Sequence, residues 1–209
     1  MLIVEPEMST WPKDAPDTME EVTVDFKEGR AVKINGKAVT PLEAMRTANT
    51  IGGRNGVGLS HALENRIIGT KSRGVYEAPG MELLGRALEF VYQAVLDRRA
   101  TSLFNHLSRL ISDQVYDGRW FDPATVAARA AVAELAKPAT GTVKVGVYKG
   151  NVFFLSLTDV PRSIYNEEDS SMEASDGLNP VSSQGFAEVQ SVEARSLARS
   201  GQIKAQRLY

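Results

Sequence analysis

The sequence predicts an α+β fold, with a mixed or antiparallel sheet, a central group of helices and a C-terminal helix suited to oligomerisation. Three observations predict it. Val22, Val24 and Phe26 alternate with polar residues, as do Val143, Val145 and Val147, and a period of two marks a half-buried strand. Between those blocks, apolar residues recur at helical spacing, as in Leu84, Leu88, Val91 and Val95. Near the end, Phe186, Val189, Val192 and Leu197 fall in helical order with little chain left to cover them. An apolar helix in that position is often exchanged with a partner subunit. Strands at both ends and helices between them indicate α+β architecture. The resulting division is a linker or arm over residues 1–19, an α+β domain over 20–182, and an oligomerisation helix with its tail over 183–209.

Pro6, Pro12 and Pro16 interrupt the first segment, and no period holds there. It reads as an extended connector. The strand around Val22–Phe26 turns through Lys27-Glu28-Gly29-Arg30 into a return strand of Ala31, Val32 and Ile34. Asn35-Gly36, a strong turn dipeptide, ends that strand. A helix follows, with Thr40 at its N-cap, Pro41 at its first position and Glu43 completing a capping box. Leu42, Met45 and Ala48 are its expected apolar face, and Gly52-Gly53 its end. Residues 52–60 form a glycine-rich connector. A short helical turn is expected over Ser60–Leu63, a strand through Glu64–Thr70, a turn at Ser72-Arg73-Gly74 and an extended Val75-Tyr76.

Pro79-Gly80 opens a second helix. Leu103, Phe104, Leu107, Leu110, Ile111 and Val115 define a third, stopped by Gly118. Asp122 and Pro123 start a fourth that ends before Pro138. Lys149-Gly150-Asn151 turns the clearest hairpin in the chain. Residues 159–182 read as loop. Leu103-Phe104 and Phe153-Phe154 read as core.

Composition removes several functions. The chain has no cysteine, which excludes disulfides, thiolate metal sites and a cysteine nucleophile. It has two histidines, His61 and His106, without an evident ligand set, so no metal site is assigned. Its net charge of −2 is not the basic balance of a nucleic-acid surface. No run approaches the roughly 18 apolar residues of a membrane helix.

The phosphate-loop look of Gly53-Arg54-Asn55-Gly56-Val57-Gly58 fails on context, because a helix precedes it where a dinucleotide loop follows a strand. Glu167-Glu168-Asp169 reads as a solvated acidic loop. The segment Glu64–Pro79, ENRIIGTKSRGVYEAP, stands above this background. Glu64, Arg66, Lys71, Ser72, Arg73 and Tyr76 gather around glycines that let backbone approach a small ligand. Glu64 can pair with an ammonium group, and Tyr76 can offer a hydroxyl and a ring wall. Residue types alone leave two readings open, a ligand site or an internal salt-bridge cluster of Glu64, Arg66 and Arg73.

GGRNGVGLSHALENRIIGTKSRGVYEAPGMELL resembles the long signature of the argininosuccinate synthases. EEVTVDFKEGRAVKINGK, Tyr116-Asp117-Gly118-Arg119-Trp120-Phe121, the Lys149-Gly150-Asn151 hairpin, Ser163-Ile164-Tyr165-Asn166 and Gly185-Phe186 follow the same family's order. The likeness covers roughly residues 19–200 and is to the family's C-terminal half. It departs at Asn55, where many members have His, at His61, where they usually have Asp, and at Leu59, where Arg is common.

The resemblance implies a ligase of arginine biosynthesis and the urea cycle that joins citrulline to aspartate at the expense of ATP. It implies a cytoplasmic homotetramer. Glu64 and Tyr76 match citrulline-binding residues, with Arg66, Lys71, Ser72 and Arg73 in supporting positions and no catalytic residue in this half. ATP with Mg belongs to an N-terminal domain bearing a Ser-Gly-Gly-x-Asp loop, a sequence absent from these 209 residues. The chain therefore binds no cofactor itself, needs that ATP-binding half as a partner and is expected to be inactive alone. The alternative is a non-catalytic oligomeric assembly module derived from the same domain.

Overall fold

The computed structural model describes residues 5–167 and 179–203. The chain divides into two compact units, Met1–Ile164 and Tyr165–Tyr209. In the first, strands β1 (Glu20–Lys27), β2 (Arg30–Ile34), β3 (Lys37–Ala38), β6 (Gly141–Tyr148) and β7 (Asn151–Thr158) form one sheet in the order β3-β2-β1-β6-β7. Strands β4 (Leu59–Asn65) and β5 (Lys71–Glu77) form a separate two-stranded ribbon. Helices α1 (Pro41–Arg54), α2 (Pro79–Val95), α3 (Arg98–Tyr116) and α4 (Pro123–Ala136) lie between the two blocks of the large sheet in sequence. Every strand pair is antiparallel, so the sheet is not mixed.

Turn chemistry closes the hairpins of the large sheet. Glu28-Gly29, Asn35-Gly36 and Lys149-Gly150 all have positive φ, between 43° and 85°. Two such residues in succession make the turn whose twist matches that of the flanking strands. Asn35 also accepts the Thr23 N–H through Oδ1, at 2.8 Å.

Alternation puts Val22, Val24 and Phe26 on the same face as Val143, Val145 and Val147, since Val24 pairs with Val143 and Val22 with Val145. Helices α1 and α2 cover that face, and these strand residues join Ala44, Ala48, Ile51, Leu83, Ala87, Val91 and Val95 in one buried core. The opposite face is polar, with Thr142 donating to Asp25 at 3.1 Å and Lys33 paired to Asp25. The sheet's two edges differ. Strand β3 is two residues long, whereas β7 is eight and exposes Phe153, Phe154 and Leu155.

The Thr40 capping box forms as the sequence predicts, with both the Glu43 N–H and the Thr40 N–H satisfied by side chains. Helical phase differs. The buried stripe of α1 runs through Ala44, Ala48 and Ile51, while Leu42 is exposed. In α2, Leu83, Ala87, Val91 and Val95 are buried, Leu84 and Leu88 flank them and Met81 is exposed. Small residues carry the α1 stripe because that helix packs closely on α2. Gly52 and Gly53 do not end α1 but lie buried in its last turn, where a Cβ on Gly52 would stand 2.7 Å from the Pro79 carbonyl oxygen.

Of the residues expected in the core at Leu103-Phe104 and Phe153-Phe154, three are not there. Leu103, Phe153 and Phe154 are 46–49% exposed. Strand β7 is an edge, so Phe154 is covered on one side by Phe90, at 5.1 Å between ring centroids. Helix α3 has no buried residue, and Phe104 is partly buried, packing against the edge of the core with its ring 4.7 Å from that of Tyr92.

In the second unit, helix α5 (Pro180–Arg199) confirms the terminal helix and extends it toward the N-terminus. Asn179 caps it, accepting the Val181 N–H at 3.0 Å. Phe186, Val189 and Val192 are exposed in the single chain. Glu168, Asp169, Ser170 and Ser171 lie outside the described residues.

Candidate functional site

The ribbon carries the candidate site, and its strands replace two sequence expectations. The helical turn over Ser60–Leu63 is the middle of β4, and the turn at Ser72-Arg73-Gly74 is the start of β5. The reversal lies instead at residues 66–70, closed by the Arg66 N–H on the Thr70 carbonyl at 2.8 Å, with Gly69 at φ 83°. Local composition could not place it, because Ser-Arg-Gly and Ile-Gly-Thr both read as turns and only the pairing register decides between them.

That register pairs Glu64 with Ser72, Ala62 with Gly74 and Ser60 with Tyr76. Directly paired residues share a face, so Glu64, Ser72, Gly74 and Tyr76 stand together. Tyr76 lies two pairs away from Glu64, yet its hydroxyl donates to Glu64 Oε1 at 2.6 Å. Gly74 makes this reach possible. A Cβ there would sit 2.5 Å from the Tyr76 ring, so the ring lies over the bare glycine backbone.

Arg66 Nη2 also meets Glu64 Oε1, at 3.0 Å, while its Nε donates to Ser72 Oγ at 2.7 Å. The Ser72 hydroxyl donates in turn to Glu64 Oε1 at 3.4 Å. The Glu64 side chain is 19% exposed. One half-sheltered carboxylate thus gathers an arginine, a serine and a tyrosine, all on one oxygen.

The other predicted residues point elsewhere. Lys71 pairs with Asn65, and Arg73 with Leu63, on the opposite face. Arg73 Nε donates to His61 Nε2 at 2.7 Å. The salt-bridge cluster of Glu64, Arg66 and Arg73 therefore forms only between the first two. Asn55 is buried, with Nδ2 donating to Glu20 at 2.7 Å and to the Ile51 carbonyl at 2.9 Å. It helps seat Glu20, which also pairs with Arg54.

Tyr116 joins the site from the end of α3, its hydroxyl donating to the Asn65 carbonyl at 3.4 Å. With Arg66, Ile67, Ile68, Thr70 and Ser72 it lines an open groove beside the Glu64 cluster. Sequence reasoning missed this contact because Asn65 and Tyr116 are 51 positions apart in the chain.

The bond to Glu64 holds the Tyr76 phenol above its ordinary pKa of 10.0, with partial burial and the carboxylate's charge adding to the effect and Arg66 opposing it. A raised pKa means the neutral phenol is the favoured form. Whatever stability the bond contributes is present below pH 10 and lost as pH rises through the elevated value. Gly74→Ala should evict the ring and return the Tyr76 titration toward 10.0. An NMR titration of the Tyr76 ring carbons checks this, and an unchanged midpoint would contradict the seat over Gly74.

The family model described as "Arginosuccinate synthase C-terminal domain" matches residues 6–197. The chain belongs to the argininosuccinate synthase family. The argininosuccinate synthase of Rhodopirellula baltica is 41% identical over 94% of this chain and 48% of its own length. That of a Thermoanaerobacter species is 40% identical over 85% of this chain and 43% of its own. The chloroplastic argininosuccinate synthase of Arabidopsis thaliana is 37% identical over 86% and 36%. The chain thus spans about half or less of the length of these relatives, and the match is to their C-terminal domain. Among the described residues, no three His, Cys, Asp or Glu side chains converge to hold a metal ion. No described helix is long and apolar enough to cross a membrane.

Proposed function

We propose that this chain supplies one wall of the citrulline site of an argininosuccinate synthase. The supporting observation is the convergence of Tyr76, Arg66 and Ser72 on Glu64 within a chain of that family. All three bonds fall on Oε1, which leaves Oε2 to receive the ammonium of an amino acid through a charge-assisted bond. Tyr76 and Ser72 fix the carboxylate's direction before the substrate arrives. Holding citrulline by its amino-acid end fixes where its ureido oxygen lies, which is a positioning contribution.

In the reaction, the ureido oxygen attacks the α-phosphorus of ATP and pyrophosphate leaves. The aspartate amine then displaces AMP to form argininosuccinate. Mg–ATP, held by an ATP-binding half that would also hold aspartate, would supply the adenylyl group that activates the ureido oxygen. Glu64 and Tyr76 bind substrate and move no proton. The assembled enzyme is a cytoplasmic homotetramer of the ligase class, serving arginine biosynthesis, with the exposed apolar residues of α5 contributing to subunit contacts.

The 209 residues alone should release no pyrophosphate from ATP with citrulline and aspartate. Adding a separately made ATP-binding half should start release. Robust turnover by the chain alone would overturn the one-wall reading.

A further inference from the structure

The ribbon that carries the Glu64 cluster stands apart from the five-stranded sheet, and a two-stranded ribbon by itself is marginally stable in water. Its orientation is set by its contacts with the body, the Tyr116 hydroxyl on the Asn65 carbonyl toward the tip and the attachments at its base. One attachment is local: the Ala78 N–H donates to the Gly58 carbonyl at 2.9 Å and closes the ribbon's base.

The other attachment at the base is Glu77. It is next to Tyr76 in sequence, so its side chain leaves the opposite face of β5. Its Oε1 accepts the Glu7 N–H and its Oε2 the Met8 N–H, each at 2.7 Å. This segment is itself fastened to α1. The Thr10 N–H bonds the Gly53 carbonyl at 2.8 Å, and the Met8 carbonyl occupies the space a Gly53 side chain would need. Residues 7–10 therefore form a strap between the last turn of α1 and the last residue of β5. Within the segment read from sequence as an extended connector or arm, residues 7–10 are thus hydrogen-bonded to α1 and β5.

We infer that Glu77 is a positioning residue: by clamping the strap it fixes the tilt of the ribbon and hence the place of the Glu64–Tyr76 pair. What that pair binds rests on the citrulline reading, whereas what holds it does not. The geometry makes the clamp consequential. At about 3.4 Å per residue, Ser72 and its partner Glu64 lie roughly 17 Å from Glu77, so a tilt of about 10° at the base displaces Glu64 by about 3 Å. Charge-assisted bonds to backbone N–H groups are among the stronger single contacts available for such a clamp. Burial alone would raise the Glu77 pKa, but the backbone N–H groups of Glu7 and Met8 that its carboxylate accepts bring it below its ordinary value. The carboxylate is thus ionised at neutral pH, as the clamp requires.

The absence of cysteine lets a spin-label pair be introduced without removing native residues. Leu42→Cys on α1 and Ile68→Cys at the ribbon tip are both exposed. In the full chain, electron–electron distance measurement should give one narrow separation for the labelled parent. Glu77→Ala should broaden it, and Glu77→Gln, which can still accept one of the two N–H groups, should fall between. Amide exchange at Glu7 and Met8 should speed up by roughly tenfold or more in Glu77→Ala, the scale of a lost bond to a charged group. Protection at Val22 and Val145 should be unchanged.

A narrow, unshifted separation in Glu77→Ala with a protected core would overturn the proposal. If Glu77→Ala does not fold, the Glu77→Gln separation decides in its place. No ligand enters the measurement, so its failure removes the role of Glu77 and leaves the citrulline reading to the pyrophosphate assay.

Discussion

Glu64→Ala, assayed with the chain joined to an ATP-binding half, is expected to raise the citrulline KM by about 10- to 150-fold. The range corresponds to about 1.5–3 kcal/mol, the scale of a hydrogen bond to a charged group. Truncation removes the oxygen that receives the ammonium and also strands Arg66 and Tyr76, which both bond Glu64 Oε1. The anchoring bond is made equally in the ground state and the transition state, so kcat should move much less than KM. Glu64→Gln keeps acceptor oxygen but no charge, and should fall between parent and alanine. Tyr76→Phe should cost less, about 0.5–1.5 kcal/mol, because a neutral donor is lost. An unchanged KM and rate in Glu64→Ala would remove Glu64 from the substrate site.

Leu83→Ala is expected to lower stability by about 2–5 kcal/mol, the range for a leucine truncated inside a well-packed core. Leu83 is 1% exposed and is the largest of the fully buried side chains. For a chain of this size that loss lowers Tm by roughly 5–20 °C. It is a large share of the about 5–15 kcal/mol that holds such domains folded. Leu84→Ala should cost less, since Leu84 only flanks the core. Thermal melts followed by circular dichroism test both, and equal losses would mean that α2 does not present Leu83 inward.

That comparison also shows how legible the fold was. Capping chemistry is local, and Thr40, Pro41 and Glu43 placed the start of α1 without error. The Asn35-Gly36 and Lys149-Gly150 turns were equally local, as was the alternation of Val143, Val145 and Val147. Helix phase was less legible. Leu42 and Leu84 outrank Ala44 and Ala87 in hydrophobicity, yet close approach of α1 to α2 selects the small residues. The ribbon was least legible, because glycines at 69 and 74 give the same local signal for different purposes. Gly69 reverses the chain, while Gly74 makes room for a tyrosine.

The candidate site divides the same way. Glu64 and Tyr76 were named from the sequence, and the structure brings them to 2.6 Å. Arg66 and Ser72 join them, but Lys71 and Arg73 fall on the other face, a distinction set by strand parity. Tyr116 and the Glu77 strap depend on contacts 51 to 70 residues apart in sequence, which no spacing argument reaches.

The unequal edges of the large sheet have a consequence for association. Sheets grow by adding strands at open edges, and proteins blunt them with short strands and lysine. Here β3, with Lys37 in a two-residue strand, is blunted, while among the described residues β7 is eight residues long, uncharged and interrupted only by one register shift at Leu155. A sheet open on one side can be extended there once, by the same edge of a second molecule. It then presents only blunted margins, so such pairing terminates at two chains and cannot propagate into a fibre.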